Sequence, residues 1–201
     1  MRVITPATDE PVSLALARKQ CKVDATGSPP AHEDDDLIQL FVSAAREWCE
    51  VYLGRIVAPT TVEITLDEFP SDEITLESGP VLGVVGITYL DEDSVSQTVD
   101  PLTYTLDTAD PVAVIRLNTD EEWPTSDASA NNIRVQYLVG YSIPGDSPQD
   151  APLPQSIRAA ILLVTAHLYR NRESTADKVL QEIPMGARFL LSPFMLRKRF
   201  A

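Results

Sequence analysis

The sequence contains few of the residues that most often build active sites. Its 201 residues include two histidines, two cysteines and eight glycines. It has neither a phosphate-binding glycine loop ending in Lys-Ser/Thr nor a dinucleotide glycine fingerprint. The spacing of the side chains indicates no Ser–His–Asp or Cys–His arrangement. We therefore predict that the protein is not an enzyme and needs no cofactor or catalytic metal.

Cysteines and long apolar runs are equally scarce. Cys21 and Cys49 each lie among apolar residues of a predicted helix, and two buried thiols are favoured over a disulfide or a metal pair. The N-terminus has no apolar signal core. The longest apolar stretch, 159–168, is interrupted by Thr165 and His167 and is too short to span a bilayer. These features predict a protein made in a reducing cytoplasm, without membrane contact.

Basic residues are few and unevenly placed. Residues 1–150 contain 27 Asp and Glu against 8 Lys and Arg, whereas residues 151–201 contain 3 against 8, and the net charge is −14. Sequence-specific DNA binding relies on a basic surface, so the acidic body argues against it. A cationic, apolar end on an acidic body indicates a segment that docks elsewhere.

Helical periodicity dominates the first 55 residues. Thr8, followed by two acids and Pro11, predicts the cap of a helix that runs to about Lys22. The acidic run 33–36 precedes a second helix; the helix dipole favours it there, and a divalent-ion site is the alternative. The second helix ends at Gly54 and carries one apolar stripe, formed by Leu37, Leu40, Phe41, Ala44, Trp48, Val51 and Tyr52.

After residue 56 the period changes to two. About six short strands, separated by Pro, Gly and Asp, indicate an antiparallel barrel or sandwich. A third helix over 153–172 and a short helical segment over 187–191 follow. The predicted fold is α+β: a helical bundle with three main helices from 1–55 and 151–191, an inserted antiparallel β-domain over 56–145, and an extended C-terminal tail over 192–201.

The tail combines large apolar and cationic side chains. It could fold back on its own acidic body, remain a free end, or dock on a partner, and docking is favoured because so many large apolar residues are unusual in a free end. The residues concerned are Phe194, Met195, Leu196, Arg197, Lys198, Arg199 and Phe200.

Several dispersed segments follow one another in a recognisable order. They include Asp-Asp-Leu-Ile at 35–38, Glu-Val-Tyr-Leu-Gly-Arg at 50–55, Val-Gln-Tyr-Leu-Val-Gly-Tyr at 135–141, His-Leu-Tyr-Arg-Asn-Arg-Glu at 167–173, and Ile-Pro-Met-Gly at 183–186. This ordered set resembles the head–tail connector, or adaptor, proteins of tailed phages and of phage-derived gene transfer agents. The resemblance extends over residues 8 to 197.

The resemblance implies a structural role in the neck of a virion or gene-transfer particle. Such proteins form a ring, usually of twelve copies, beneath the portal protein, and the opposite face receives a stopper or tail protein. DNA passes through the ring without sequence-specific binding. The C-terminal segment reaches into the portal, which gives residues 194–200 their expected docking role. From the charge contrast, Arg170 and Arg172 are predicted to pair with the acidic body of a neighbouring subunit.

Two other functions remain open from the sequence. The first is a β-module that binds a small molecule or carbohydrate, and it predicts an apolar pocket in the β-domain. The second is a metal-dependent enzyme with carboxylates at 34–36 as ligands.

Overall fold

The computed structural model describes residues 1–110, 112–127, 129–142, 151–172 and 185–196. In these ranges it contains four α-helices and two antiparallel sheets, so the predicted α+β class is confirmed. The chain divides into two compact units. The β unit consists of Met1–Thr8 and Ala58–Ser142, and the helical unit consists of Asp9–Val57 with the described residues after position 150.

The larger sheet of the β unit has five strands. Their order across the sheet is β1 (Arg2–Thr5), β2 (Thr60–Leu66), β8 (Ile133–Val139), β4 (Val81–Leu90) and β5 (Ser96–Thr98). The central strand, β8, pairs along its whole length with β2. Alternate residues of β8 are buried, which is the pattern of a strand with one face in a core.

The smaller sheet has three strands in the order β3 (Glu73–Leu76), β7 (Ala113–Leu117) and β6 (Tyr104–Asp107). Sequence periodicity predicts six of the eight strands and misses β1 and β5. Every residue of these two strands is exposed, so neither has the alternating apolar pattern that identifies a strand. Because β1 pairs with β2, residues 1–8 lie with the sheet, whereas the sequence assigned 1–55 to the helical bundle.

The first helix, α1 (Leu14–Cys21), begins six residues after the predicted cap position. Thr8 as the cap is therefore wrong. Ser13 caps the helix instead: its side chain accepts the N–H of Leu16 at 3.3 Å, and its carbonyl accepts the N–H of Ala17 at 3.0 Å. A serine immediately before the first helical turn satisfies donors that Thr8 is too distant to reach.

The second helix, α2 (Asp35–Leu53), ends at Gly54 in the left-handed conformation, as predicted. Its buried side chains are Ile38, Val42, Ala45, Cys49 and Leu53. The predicted apolar stripe is a different set, and all of its members are at least partly exposed. The prediction of one apolar stripe is therefore incomplete, because α2 carries two apolar sets at the same helical spacing and its own unit buries the other one.

The third helix, α3 (Gln155–Arg170), contacts the three other helices of its unit. Its apolar residues Ile157, Ala160, Ile161 and Val164 recur at helical spacing and are buried. The short helix α4 (Met185–Leu191) packs on α3 and buries Ala187 and Leu191, and a 3-10 turn over Ser192–Phe194 follows it. In the described ranges, no helix combines the length and apolarity needed to cross a membrane.

Candidate interface and docking residues

Two carboxylates of the acidic run at the start of α2 are bound by guanidinium groups. Asp35 accepts hydrogen bonds from Nε and Nη2 of Arg18 at 2.6 and 2.5 Å, and from the backbone N–H of His32 at 2.8 Å. The Arg18 side chain is 12% exposed and that of Asp35 is 17% exposed. The bonds from Arg18 hold the pKa of the Asp35 carboxyl below its usual range. This pair joins α1 to the first turn of α2.

Asp34 makes the corresponding link to α3. The Tyr169 hydroxyl donates to its carboxylate at 2.5 Å, and Nη2 of Arg172 donates at 2.7 Å. The Arg172 guanidinium also lies 4.2 Å from the centroid of the Tyr169 ring. Hydrogen bonds from Arg172 and Tyr169 lower the pKa of Asp34. The first turn of α2 is thereby connected to both neighbouring helices.

These contacts change the interpretation of residues 33–36. The sequence favoured acids stabilised only by the helix dipole, yet Asp34 makes no side-chain capping bond and both Asp34 and Asp35 are ion-paired. Among the described residues, no group of three or more His, Cys, Asp or Glu is arranged to hold a metal ion. The geometry of Asp34 and Asp35 therefore suits a structural network between helices.

The two arginines predicted to lie between subunits differ in their surroundings. Arg172 is paired with Asp34 of its own chain, although 43% of its side chain stays exposed. Arg170 is exposed and makes no ion pair with the residues that the structure describes. Of the two, only Arg172 therefore has an ion-pair partner among the described residues.

A second ion-pair network was missed by the sequence reasoning. Arg46 of α2 donates to Glu10 at 2.9 Å and to Glu50 at 2.8 Å. Glu10 also accepts a bond from the Ser43 hydroxyl, and Glu50 accepts the N–H of Val57 at 2.9 Å. The spacing of Arg46 and Glu50 on one helix could have predicted their pair. The contact with Glu10 depends on how the preceding segment folds, and no local pattern indicates it.

The described part of the tail lies beside its own helical unit. The N–H of Leu196 donates to the carbonyl of Leu53 at 3.0 Å, and Phe194 and Leu196 are half-buried. Met195 is 42% exposed. The other predicted docking residues, Arg197, Lys198, Arg199 and Phe200, lie outside the described residues.

Two exposed apolar surfaces mark the helical unit. The outer face of α2 consists of the predicted stripe: Val51 is 83% exposed, Leu40 is 62% exposed, and the rings of Trp48 and Tyr52 stack with centroids 5.5 Å apart. On α4, Met185 is 82% exposed and Phe189 is 80% exposed. Sequence reasoning found the first set but treated it as the one apolar face of the helix. It did not single out the second, although large apolar residues four apart were a usable signal.

Both cysteines are buried and unpaired, as predicted. Burial raises the pKa of Cys49 to about 12, so its thiol is protonated at neutral pH. His32 is a structural residue of the acidic turn, because its Nδ1 accepts the N–H of Asp34 at 3.0 Å. None of these three groups is arranged as a nucleophile with an adjacent base.

A depression beside β6 and β7 is the place to look for a small-molecule site. Its lining includes Thr105, Leu106, Asp107 and Arg116. It is open to solvent, and Arg116 at its edge is ion-paired with Glu73 at 2.9 Å and with Asp107 at 2.7 Å. An open surface with an ion-paired arginine does not match the enclosed apolar pocket that a ligand-binding β-module predicts.

Solved structures match the fold over almost the whole chain. A chain from the neck of an empty gene transfer agent (GTA) particle, computed with C6 symmetry, matches with a TM-score of 0.72 at 18% identity over 98% of this chain and 96% of that chain. A chain from the virion of a native GTA particle gives the same values. A chain from the neck of a native GTA particle, computed with C12 symmetry, has a TM-score of 0.65 at 18% identity, with 100% and 98% covered.

Comparison of the sequence itself with other proteins gives no match, either to a protein-family model or to a curated protein. The likeness to the GTA structures therefore lies in the fold. At 18% identity it establishes that both units of this chain share the architecture of those particle components.

Proposed function

We propose that this protein is a structural connector in the neck of a phage-like or gene-transfer particle. The observation that carries the proposal is the likeness to GTA neck structures, which covers at least 96% of both chains in each comparison. A likeness limited to one unit would be explained by a common small domain. A likeness that includes the β unit, the helical unit and their order along the chain favours a shared role.

The proposed connector is a ring of copies beneath a portal protein, with a stopper or tail protein on its other side. The neighbouring structures come from necks computed with sixfold and twelvefold symmetry, which supports a ring, and we propose twelve copies. The exposed apolar surfaces of α2 and α4 are available for contacts between proteins. The ion-pair networks at Asp34, Asp35 and Arg46 fix α2, which carries the first of those surfaces, to neighbouring segments of the chain.

The ring is proposed to complete a channel through which DNA moves. A wall that made many Lys and Arg contacts to phosphates would bind DNA tightly and would slow its movement. The chain has 30 acidic residues against 16 basic ones, which supports a conduit that repels phosphates. DNA is then a passenger and no base sequence is read.

Residues 194–200 are proposed to dock on the portal, and Arg170 to meet an acidic neighbour. In the tail, apolar side chains would fill pockets on the portal while the cations pair with acidic groups. Because Leu196 is bound to Leu53, the residues after position 196 are the ones to change when docking is tested. Deletion from residue 192 would also remove contacts with the protein's own helices.

The test is a binding measurement with purified portal protein. In one variant, Arg197→Glu, Lys198→Glu and Arg199→Glu reverse the three cations and Phe200→Ser removes the terminal aromatic. We expect the affinity for the portal to fall at least tenfold, because the apolar anchor and the charge complementarity are both lost. Unchanged affinity would show that residues 197–200 do not dock.

A matched control reverses three exposed cations elsewhere. Arg2→Glu, Lys19→Glu and Lys22→Glu change the net charge by the same amount at positions outside the tail. We expect the control to bind the portal as the unaltered protein does. A similar loss in both variants would mean that binding follows net charge and does not depend on the tail.

A further inference from the structure

Helix α2 is apolar on two of its three sides. At about 100° per residue, the buried set centred on Val42 and Cys49 and the outer set centred on Ala44 and Trp48 lie about a third of a turn apart. The remaining third carries the polar residues, including Arg46. A helix that needed only to pack on its own unit would have polar residues on the outer face. The outer face of α2 therefore requires a second explanation.

The described residues leave this face of α2 open. Val51 and Leu40 are 83% and 62% exposed, and Ala44 is exposed between them. Trp48 and Tyr52 cover one another in part by stacking, and both remain accessible. Contiguous apolar surface with two aromatic rings is typical of a protein–protein contact.

Helix α4 presents the second apolar surface. Met185 and Phe189 are four residues apart, so they lie on the same side of the helix, and both are at least 80% exposed. Ala187 and Leu191 are buried and fix the helix to its unit. Since Phe189 and Val51 are both largely exposed, the α4 surface does not cover the outer face of α2 within one chain.

A cyclic ring needs two different surfaces on each copy. In a ring of more than two copies, each subunit meets one neighbour through one patch and the other neighbour through a different patch. The two patches must therefore be complementary to each other. The outer face of α2 and the exposed side of α4 are two such patches on one compact unit.

The charges around the two patches are complementary. The outer face of α2 is bordered by Asp36 and Glu47, which are both exposed, and the Glu47 side chain is 69% exposed. On α4 the residue before Phe189 is an exposed cation, Arg188, which lies to one side of the two apolar side chains. An acidic edge on one patch and a cation beside the other would guide the two patches together and would disfavour contact of each patch with its own kind.

We propose that the outer face of α2 receives Met185 and Phe189 of α4 from a second copy of this chain. Repetition of this contact links each copy to the next. The closure of this contact into a ring rests on the proposed function. The contact itself does not, and it is tested without a portal protein.

The experiment is pairwise crosslinking with a short bis-maleimide at high protein concentration. Val51→Cys and Phe189→Cys each replace a highly exposed residue, and the native Cys21 and Cys49 are buried. An equimolar mixture of the two variants should give at least ten times more covalent dimer than either variant alone. The double variant should give a ladder of dimers, trimers and larger species. Circular dichroism checks that each variant is folded.

The control variant is Leu102→Cys, which is 81% exposed in the β unit and bears no role in the contact. The proposal would be overturned if the mixture of Val51→Cys and Phe189→Cys gave no more dimer than a mixture of either variant with Leu102→Cys. Equally strong dimer formation by Val51→Cys alone would show that α2 meets α2, which overturns α4 as the occupant. If crosslinking fails and the portal still binds the tail, the contact is wrong and the connector function stands. If the crosslink forms but the protein does not bind the portal, the contact stands and the connector function is wrong.

Discussion

Two valine substitutions in α2 compare the stability contributed by its buried face with that contributed by its exposed face. Val42 is 1% exposed and Val51 is 83% exposed on the same helix. The same change, valine to alanine, can therefore be made once on each face. Backbone conformation, residue type and the number of atoms removed are equal in Val42→Ala and Val51→Ala.

The expected effects follow from burial and helix propensity. Removal of two buried methyl groups at Val42 costs about 1.6 kcal/mol of transfer free energy, and the residual cavity adds to this cost. Alanine is the better helix former by about 0.5 kcal/mol. Val42→Ala should therefore lower the free energy of unfolding by about 1.5 to 2 kcal/mol. Val51→Ala loses almost no burial and should be neutral, or should stabilise by up to about 0.5 kcal/mol.

The assay is urea unfolding followed by circular dichroism, at protein concentrations low enough for the midpoint to be independent of concentration. The slope with urea should be the same for both variants, so that the shift in midpoint reports stability. A loss of more than about 1 kcal/mol for Val51→Ala would refute the reasoning, because it would mean that the outer face of α2 is packed in the free chain.

Three other predictions test separate parts of the structure. The lowered pKa values of Asp34 and Asp35 mean that their ion pairs stabilise the fold above about pH 4 and lose this effect as the pH falls through the lowered values. The temperature midpoint of unfolding should therefore drop over that pH range, and it should drop less in the double variant Asp34→Asn, Asp35→Asn. The thiol of Cys49, with its pKa raised to about 12, should not react with a disulfide reagent at pH 8 until the protein is unfolded; reaction in the folded state would contradict its burial. Gly140→Ala should destabilise the protein by about 1 to 3 kcal/mol, because Gly140 has a φ of +118° and a Cβ there would lie 2.6 Å from the carbonyl oxygen of Ala58; an unchanged urea midpoint would refute the strain.

The elements that the sequence predicts well are those with strong local signals. The central strand β8 alternates buried and accessible residues, and the predicted third helix, α3, buries apolar residues at helical spacing. The end of α2 is given by Gly54 alone. In each case one short window of sequence contains the whole signal, because the physical cause lies within the element.

What the sequence did not reveal depends on contacts between distant segments. Strands β1 and β5 are defined by pairing with neighbours, and their exposed residues have no apolar alternation. The partners of Asp34 and Glu10 are 138 and 36 residues away along the chain. Likewise, periodicity identified the stripe on α2 as apolar but could not tell which of two apolar faces the rest of the unit would cover.

The central claim, a ring-forming connector that binds a portal, is tested most directly by the mass of the protein in solution with and without purified portal protein. The account predicts a complex with twelve copies of this chain on each portal ring. The account would be contradicted if the species that contains this chain did not gain mass when portal protein was added at concentrations well above micromolar.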